Sequence, residues 1–336
     1  MSKITENVLK YSSISIVGME KNTGKTECLN YLITQLNKLG KSLLISSIGI
    51  DGENYDRVTQ TSKPEITLQS GNIFVTSEHF YRIKSLTAEI LDVSENSTAT
   101  GRLVTAKTLL AGKVIIAGPV DTAHMKQFIN KMPQWNADIM LIDGALSRKS
   151  LGAPSVTEAM ILTTGAALSP NIGELVRKTA FTCQLINLPC YETAHQEVLS
   201  RLQQGIWAIT QTEIHNLHIA SSLLLEKMHV PIFAYGHTLF VSGMVTDKLL
   251  NFLRKQKEIE RIVLIVKDFT KLFITPEAYY AFTKKGGIIK VLLKTHLIAV
   301  CANPVSPQGY ILDSQELCSK LTDALQLPVY DIRQKK

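Results

Sequence analysis

A chain of 336 residues, 45% hydrophobic and 19% charged, carries enough apolar material for two ordinary cores and too much for a disordered polymer. Its net charge of +7 is uneven, with ten Lys/Arg against four Asp/Glu between residues 254 and 294. That segment reads as a solvated face or a docking surface for an acidic partner; without interleaved aromatics it gives no case for nucleic acid.

Five scattered cysteines with no Cys-x-x-Cys pair give no zinc signature and fit a reducing compartment. The first residues lack the apolar stretch of a signal peptide. The uncharged span 228–246 contains Pro231, Gly236 and two histidines, so it is not read as a membrane helix. The expected location is the cytoplasm, with no membrane partner.

In chain order, the first informative stretch is a β-branched run (Ile14, Ile16, Val17) that leads through a loop to Gly24-Lys25-Thr26. Cys28, Leu29, Leu32, Ile33 and Leu36 then recur at helical spacing. Strand, phosphate loop and helix are the context a P-loop requires. Gly18, Lys21, Asn22, Thr23, Gly24, Lys25, Thr26 and Glu27 are the candidate ATP-binding residues. Backbone N–H groups at the helix start would hold phosphate oxygens, Lys25 would neutralise β/γ charge, and the Thr26 hydroxyl would ligate Mg²⁺.

The spacing departs from the usual one: five residues, not four, separate Gly18 from Gly24. Gly18, tolerant of positive φ, is expected to absorb the extra residue. Lys21 is similar to the extra loop lysine of dimerising ATPases related to the cell-division regulator family, although there it lies one residue further back. That likeness implies a homodimer.

Leu39-Gly40 supplies a helix stop. The apolar run 42–50 ends in Asp51-Gly52-Glu53, as parallel strands do when they deliver side chains to the carboxyl edge of a sheet. Asp51 is thus a candidate to hold the metal through water or to position the attacking nucleophile.

Residues 57–110 break the α/β rhythm. Runs 66–69 and 73–76 flank Ser70-Gly71-Asn72, a hairpin signal, and short β-like pieces follow at 88–91 and 102–104. The expectation is an antiparallel insertion or extension of the sheet, serving as a lid, a dimer contact or a partner contact.

A buried strand at 113–119, a helix over 121–132 and a strand at 137–144 restore the rhythm. The last strand carries four apolar residues ending in Asp143, a Walker B pattern that makes Asp143 the metal-side acid. His215 and His218 fall on a predicted helix without further ligands at useful spacing. Leu223, Leu224, Leu225 and Met228 read as core. Strands at 239–243, 261–268, 288–293 and 297–302 alternate with helices at 247–256, 276–285 and 314–325.

The fold class is therefore α/β: a P-loop NTPase, SIMIBI-like, with a mostly parallel sheet, an antiparallel insertion and a second, smaller α/β domain. The expected domains are 1–200, holding the nucleotide, and 201–336. Lys25, Asp51 and Asp143 form the catalytic set, and Thr26, Asp51 and Asp143 the metal set.

Assembled, these pieces resemble the P-loop reactivase subunits that accompany adenosylcobalamin-dependent lysine 5,6-aminomutase. The resembling stretches are Gly18-Met19-Glu20-Lys21-Asn22-Thr23-Gly24-Lys25-Thr26, Ile48-Gly49-Ile50-Asp51-Gly52-Glu53, Ile73-Phe74-Val75-Thr76-Ser77-Glu78 and Ile142-Asp143-Gly144-Ala145-Leu146-Ser147-Arg148, with Ala302-Asn303-Pro304-Val305-Ser306-Pro307-Gln308-Gly309-Tyr310 near the C-terminus. The five-residue glycine spacing is part of the resemblance. It implies an ATP-driven factor that opens an inactivated aminomutase so that spent cobalamin exchanges for intact cofactor. A second, mismatch-repair-like ATPase subunit is the implied partner.

Two other readings share the fold. One is an ATP-dependent small-molecule ligase of the dethiobiotin synthetase or cobyrinic acid amidase type. An amidase would need a nucleophilic cysteine, whereas Cys301 ends an apolar run and reads as core. The other is a nucleotide switch that scaffolds a partner and barely hydrolyses. No Asn-Lys-x-Asp guanine motif stands in the chain, which favours ATP.

Overall fold

The computed structural model describes residues 3–48, 66–98, 100–119, 122–145, 156–221, 231–331 and 333. The chain divides into two compact units, residues 1–180 with 296–336, and residues 181–295.

The first unit opens with α1 (Lys3–Val8), β1 (Ser13–Gly18), α2 (Lys25–Lys38) and β2 (Leu43–Ser47). It continues through β3 (Ile66–Leu68), β4 (Ile73–Ser77), α3 (Glu78–Ile83), β5 (Thr87–Thr98), β6 (Gly101–Leu110) and β7 (Gly112–Val114). Then come α4 (Thr122–Lys131), β8 (Ile139–Ala145), β9 (Ala159–Gly165) and α5 (Ile172–Ile186), within which the chain passes from the first unit to the second. The second unit holds α6 (Gln196–Arg201), β10 (Ile206–Ile209), β11 (Ile214–Ile219), β12 (Thr238–Val241), β13 (Val245–Thr246), α7 (Asp247–Leu253), β14 (Val263–Val266), β15 (Leu272–Phe273), α8 (Pro276–Thr283) and β16 (Ile288–Val291). The chain then returns to the first unit with β17 (Leu297–Asn303), α9 (Ser314–Leu325) and β18 (Val329–Asp331).

Nine strands form the central sheet of the first unit, in the order β18-β17-β9-β1-β8-β2-β4-β6-β5. Every pairing from β18 to β4 is parallel, and β6 and β5 add an antiparallel edge. Parallel strands are covered on both faces, so they read as unbroken apolar runs. β1, β9 and β17 are buried at every position. Alternation divides the apolar side chains between the faces. Ile14, Ile16, Leu43, Ile45, Leu141 and Ile161 meet Cys28, Leu29, Leu32, Ile33 and Leu36 of α2. Leu44, Met140 and Ile142 share the other core with Met125 of α4.

α2 ends as expected. Gly40 adopts φ +70°, its N–H donates to the Asn37 carbonyl at 3.0 Å, and the Lys41 N–H donates to that of Leu36 at 3.1 Å. These bonds occupy carbonyls that a helix end leaves open.

In the second unit β11-β10-β12-β14-β16 form a five-stranded sheet, antiparallel at β11-β10-β12 and parallel beyond. Among the described residues no helix is long and apolar enough to cross a membrane.

Several expectations are corrected. The division at residue 200 fails because β17 is buried throughout and pairs with β9, which places residues 296–336 with the first unit. The hairpin of 66–69 with 73–76 does not form. The turn is present, with Gly71 at φ +91°, but Phe74 fills one core while Ile73 and Val75 fill the other. A strand buried on both faces belongs inside the sheet, so β4 pairs with β2 and β6, and β3 pairs with β7.

Among the described residues of 57–110 antiparallel pairing is nonetheless general, in β3–β7, β4–β6 and β5–β6, so the stretch extends the central sheet antiparallel beyond the parallel β2–β4 pairing. The strand expected at 113–119 shortens to β7, because the chain beyond it bonds singly to β2 and β4. The Ala117 N–H donates to the Val75 carbonyl at 3.1 Å, and the Ser47 N–H donates to the Ala117 carbonyl at 3.4 Å. His215 and His218 lie on a strand, β11, where Leu217 and Ile219 alternate into the core. Leu223, Leu224, Leu225 and Met228 lie outside the described residues.

Candidate functional site

β1 is flanked by β8 and β9, so the loop of residues 19–24 emerges between the carboxyl ends of three parallel strands. Ligands of open α/β sheets bind at such an edge. Gly18 closes β1 beside Ala145 and Thr163. A Cβ at Gly18 would stand 3.0 Å from Thr23 Oγ1, so glycine lets the loop fold tightly over the strand end. Gly18 does not take the expected left-handed conformation. Instead Asn22 (φ 62°) and Gly24 (φ 91°) turn the longer loop.

Buried neighbours pin this loop. The Met19 N–H donates to the Thr163 carbonyl at 3.0 Å. Thr23, fully buried, donates its hydroxyl to the Glu20 carbonyl at 2.9 Å and lies 3.2 Å from the Thr163 hydroxyl. The side-chain amide of Asn303 donates to the Asn22 carbonyl at 3.3 Å.

α2 starts directly after Gly24, with no side-chain cap. Its first N–H groups and the positive end of its dipole face the loop, and the N-cap Gly24 offers them no side chain. Lys25 and Thr26 are half-buried in this first turn, whereas Lys21 and Glu27 are exposed. Glu27 pairs with Arg333 at 3.1 Å and so faces a surface cation.

β8 places Asp143 beside β1, opposite Ile16, and beside β2, opposite Ser47. Its Oδ1 lies 2.7 Å from Lys25 Nζ. That oxygen is nevertheless buried and accepts no aligned hydrogen bond, so the attraction to Lys25 is chiefly coulombic. Asp51 lies outside the described residues.

Among the described residues no group of three or more His, Cys, Asp or Glu side chains could hold a metal ion. Magnesium bound with a nucleotide does not need one: it takes one or two protein oxygens and completes its shell with phosphate and water. The Asp143 carboxylate and the Thr26 hydroxyl fit that requirement, and Asp143 Oδ1 has acceptor capacity to spare.

Thr163 and Asn303, which touch this loop, belong to neither the phosphate-loop nor the Walker B motif. Each stands at or near the end of a buried apolar strand, as Asp143 does. A polar residue ending an apolar run is the signal they share with Asp143. No protein-family model matches this chain, and no curated protein matches it.

Proposed function

We propose that this chain is a P-loop ATPase that reactivates an adenosylcobalamin-dependent aminomutase. The observation that carries the ATPase part is the Lys25–Asp143 pair at 2.7 Å beside the uncapped start of α2. A cation, a carboxylate and open N–H groups converge where a phosphate chain would lie. The aminomutase part rests on the resemblance of the five stretches named above.

In this reading, N–H groups around Asn22–Glu27 cradle the phosphates. Lys25 turns from Asp143 toward the β/γ oxygens as they enter. Thr26 and Asp143 would hold magnesium, which when bound supplies positive charge for the oxygens of the departing diphosphate. Asp51 orients the attacking water. ATP can open a client only if nucleotide state changes affinity for that client, so the two bindings are thermodynamically coupled.

The test starts from an aminomutase inactivated by turnover, supplied with this protein, its mismatch-repair-like partner, Mg-ATP and fresh adenosylcobalamin. Activity is expected to return with ATP, and to stay lost with a non-hydrolysable analogue or with Lys25→Ala. Recovery that is equal without ATP would overturn the reactivase reading.

A further inference from the structure

Asn22 is a non-glycine residue in the left-handed region, at φ 62°, and it is exposed at the tip of the loop. Asparagine visits that region more readily than most residues, but it does not favour it over the ordinary basins. One side chain reaches its peptide from 281 positions away: Asn303, 3% exposed at the end of β17.

The Asn303 amide has one consistent orientation. Its Oδ1 accepts the Val305 N–H at 3.2 Å, which directs Nδ2 at the Asn22 carbonyl, 3.3 Å away. The backbone of Asn303 is itself fixed, since its carbonyl accepts the Ala166 N–H at 2.8 Å and its Cα pairs with Gly165. A rigid donor on the sheet therefore holds one peptide of the loop.

That peptide sets the directions of the N–H groups after it. Left-handed residues placed among right-handed ones turn successive N–H groups to one side, forming an anion-binding concavity. Here Asn22 and Gly24 are the two left-handed positions ahead of Lys25. Gly24 holds its conformation at little cost; Asn22 needs a partner.

We propose that Asn303 is a positioning residue for the phosphate loop: its amide holds Asn22 left-handed and so keeps the N–H groups of residues 23–26 convergent before nucleotide arrives. This rests on the nucleotide reading for its consequence, but not for the loop conformation itself.

Two readouts test it. Asn303→Ala is expected to speed amide hydrogen exchange in residues 19–26 of the nucleotide-free protein and to weaken Mg-ATP binding by calorimetry about five- to tenfold, the scale of one net hydrogen bond. Glycine at position 22 needs no such partner, so in an Asn22→Gly background the same Asn303→Ala change is expected to alter affinity less than about twofold. Equal weakening in both backgrounds would mean general damage and overturn the proposal. If Asn303→Ala folds poorly, Asn303→Asp keeps the Val305 contact, and the same comparison between backgrounds decides. A parent that binds no Mg-ATP would sink the nucleotide reading instead; loop exchange unchanged by Asn303→Ala would sink this one.

Discussion

Lys25 Nζ and Asp143 Oδ1 stand 2.7 Å apart, tying the first turn of α2 to the strand beside β1. Each is the other's counter-ion, and both side chains are about three-quarters shielded, at 27% and 21% exposure. In the proposed reading an arriving phosphate would draw Lys25 away from Asp143, and the carboxylate would then need another cation, which would give magnesium and ATP a reason to arrive together.

Asp143→Asn separates these roles. In the absence of magnesium it is expected to leave ATP affinity unchanged or slightly higher, because Lys25 no longer has a carboxylate to leave. With magnesium, turnover is expected to fall at least tenfold, since metal charge near the phosphates is lost. Steady-state hydrolysis and calorimetry, each with and without magnesium, measure both. Turnover equal to the parent's would make Asp143 a purely structural partner of Lys25.

Lys25→Ala is expected to weaken ATP binding by on the order of 2–5 kcal/mol, the usual cost of deleting one partner of a close charge pair. Part of that cost is the Asp143 carboxylate left without its cation beside the phosphates. The double variant with Asp143→Asn is therefore expected to recover some of the lost affinity. Affinity unchanged in Lys25→Ala would remove the phosphate-loop reading.

Much of the fold was legible because strict periods leave marks. The apolar runs of β1 and β8, the helical spacing of Leu29, Leu32, Ile33 and Leu36, and the residue boundaries of α9 follow directly from the apolar pattern. What was hidden depends on partners distant in the chain. Nothing local distinguishes β17 from the last strand of a separate domain; its pairing with β9 decides that. The Gly71 turn looks like a hairpin because a turn signal says nothing about what its flanking strands pair with. In the site, Lys25 and Asp143 follow from local motifs, whereas the Asn303 contact with Asn22 spans nearly the whole chain.

Asp51, outside the described residues, is accessible only through function. If it orients the attacking water or holds metal-bound water, Asp51→Ala is expected to lower hydrolysis by roughly 10²-fold while ATP still binds. Normal turnover with a lowered melting temperature would place it in a turn instead.

Cys183 gives a pH dependence. It is 3% exposed, and burial pushes its thiol up to about 12 from the ordinary value of 9.0. Below pH 9 the thiol is neutral folded or unfolded and pH has no hold on it. Above that, only the unfolded chain releases the proton, so stability falls as pH rises through the window from 9.0 to about 12. At 1.36 kcal/mol per unit, the loss by pH 10.5 is about 2 kcal/mol. Denaturation curves of the parent and Cys183→Ser are expected to converge by that amount between pH 8.5 and pH 10.5, values chosen to bracket about half of the shift. A constant gap would place the thiol's titration at its ordinary value.

Gly165 links stability to the site. A Cβ there would lie 2.3 Å from the Asn303 carbonyl oxygen and 3.0 Å from the Asn303 Cβ. The nearest obstacle is backbone in a parallel ladder, so it cannot swing aside as a side-chain tip would. Gly165→Ala must push β17 from β9, costing about 1–3 kcal/mol by overpacking. The displaced residue is the one that holds Asn22, so Mg-ATP affinity is expected to fall with stability. Gly243 is the control: a Cβ there meets nothing within 4 Å and its φ is not left-handed, so Gly243→Ala is expected to leave both unchanged. Thermal melts and calorimetry on the two variants check this. Gly165→Ala with lowered stability and parental ATP affinity would show that the loop tolerates movement of β17, and the link from Asn303 to the phosphate loop would fail.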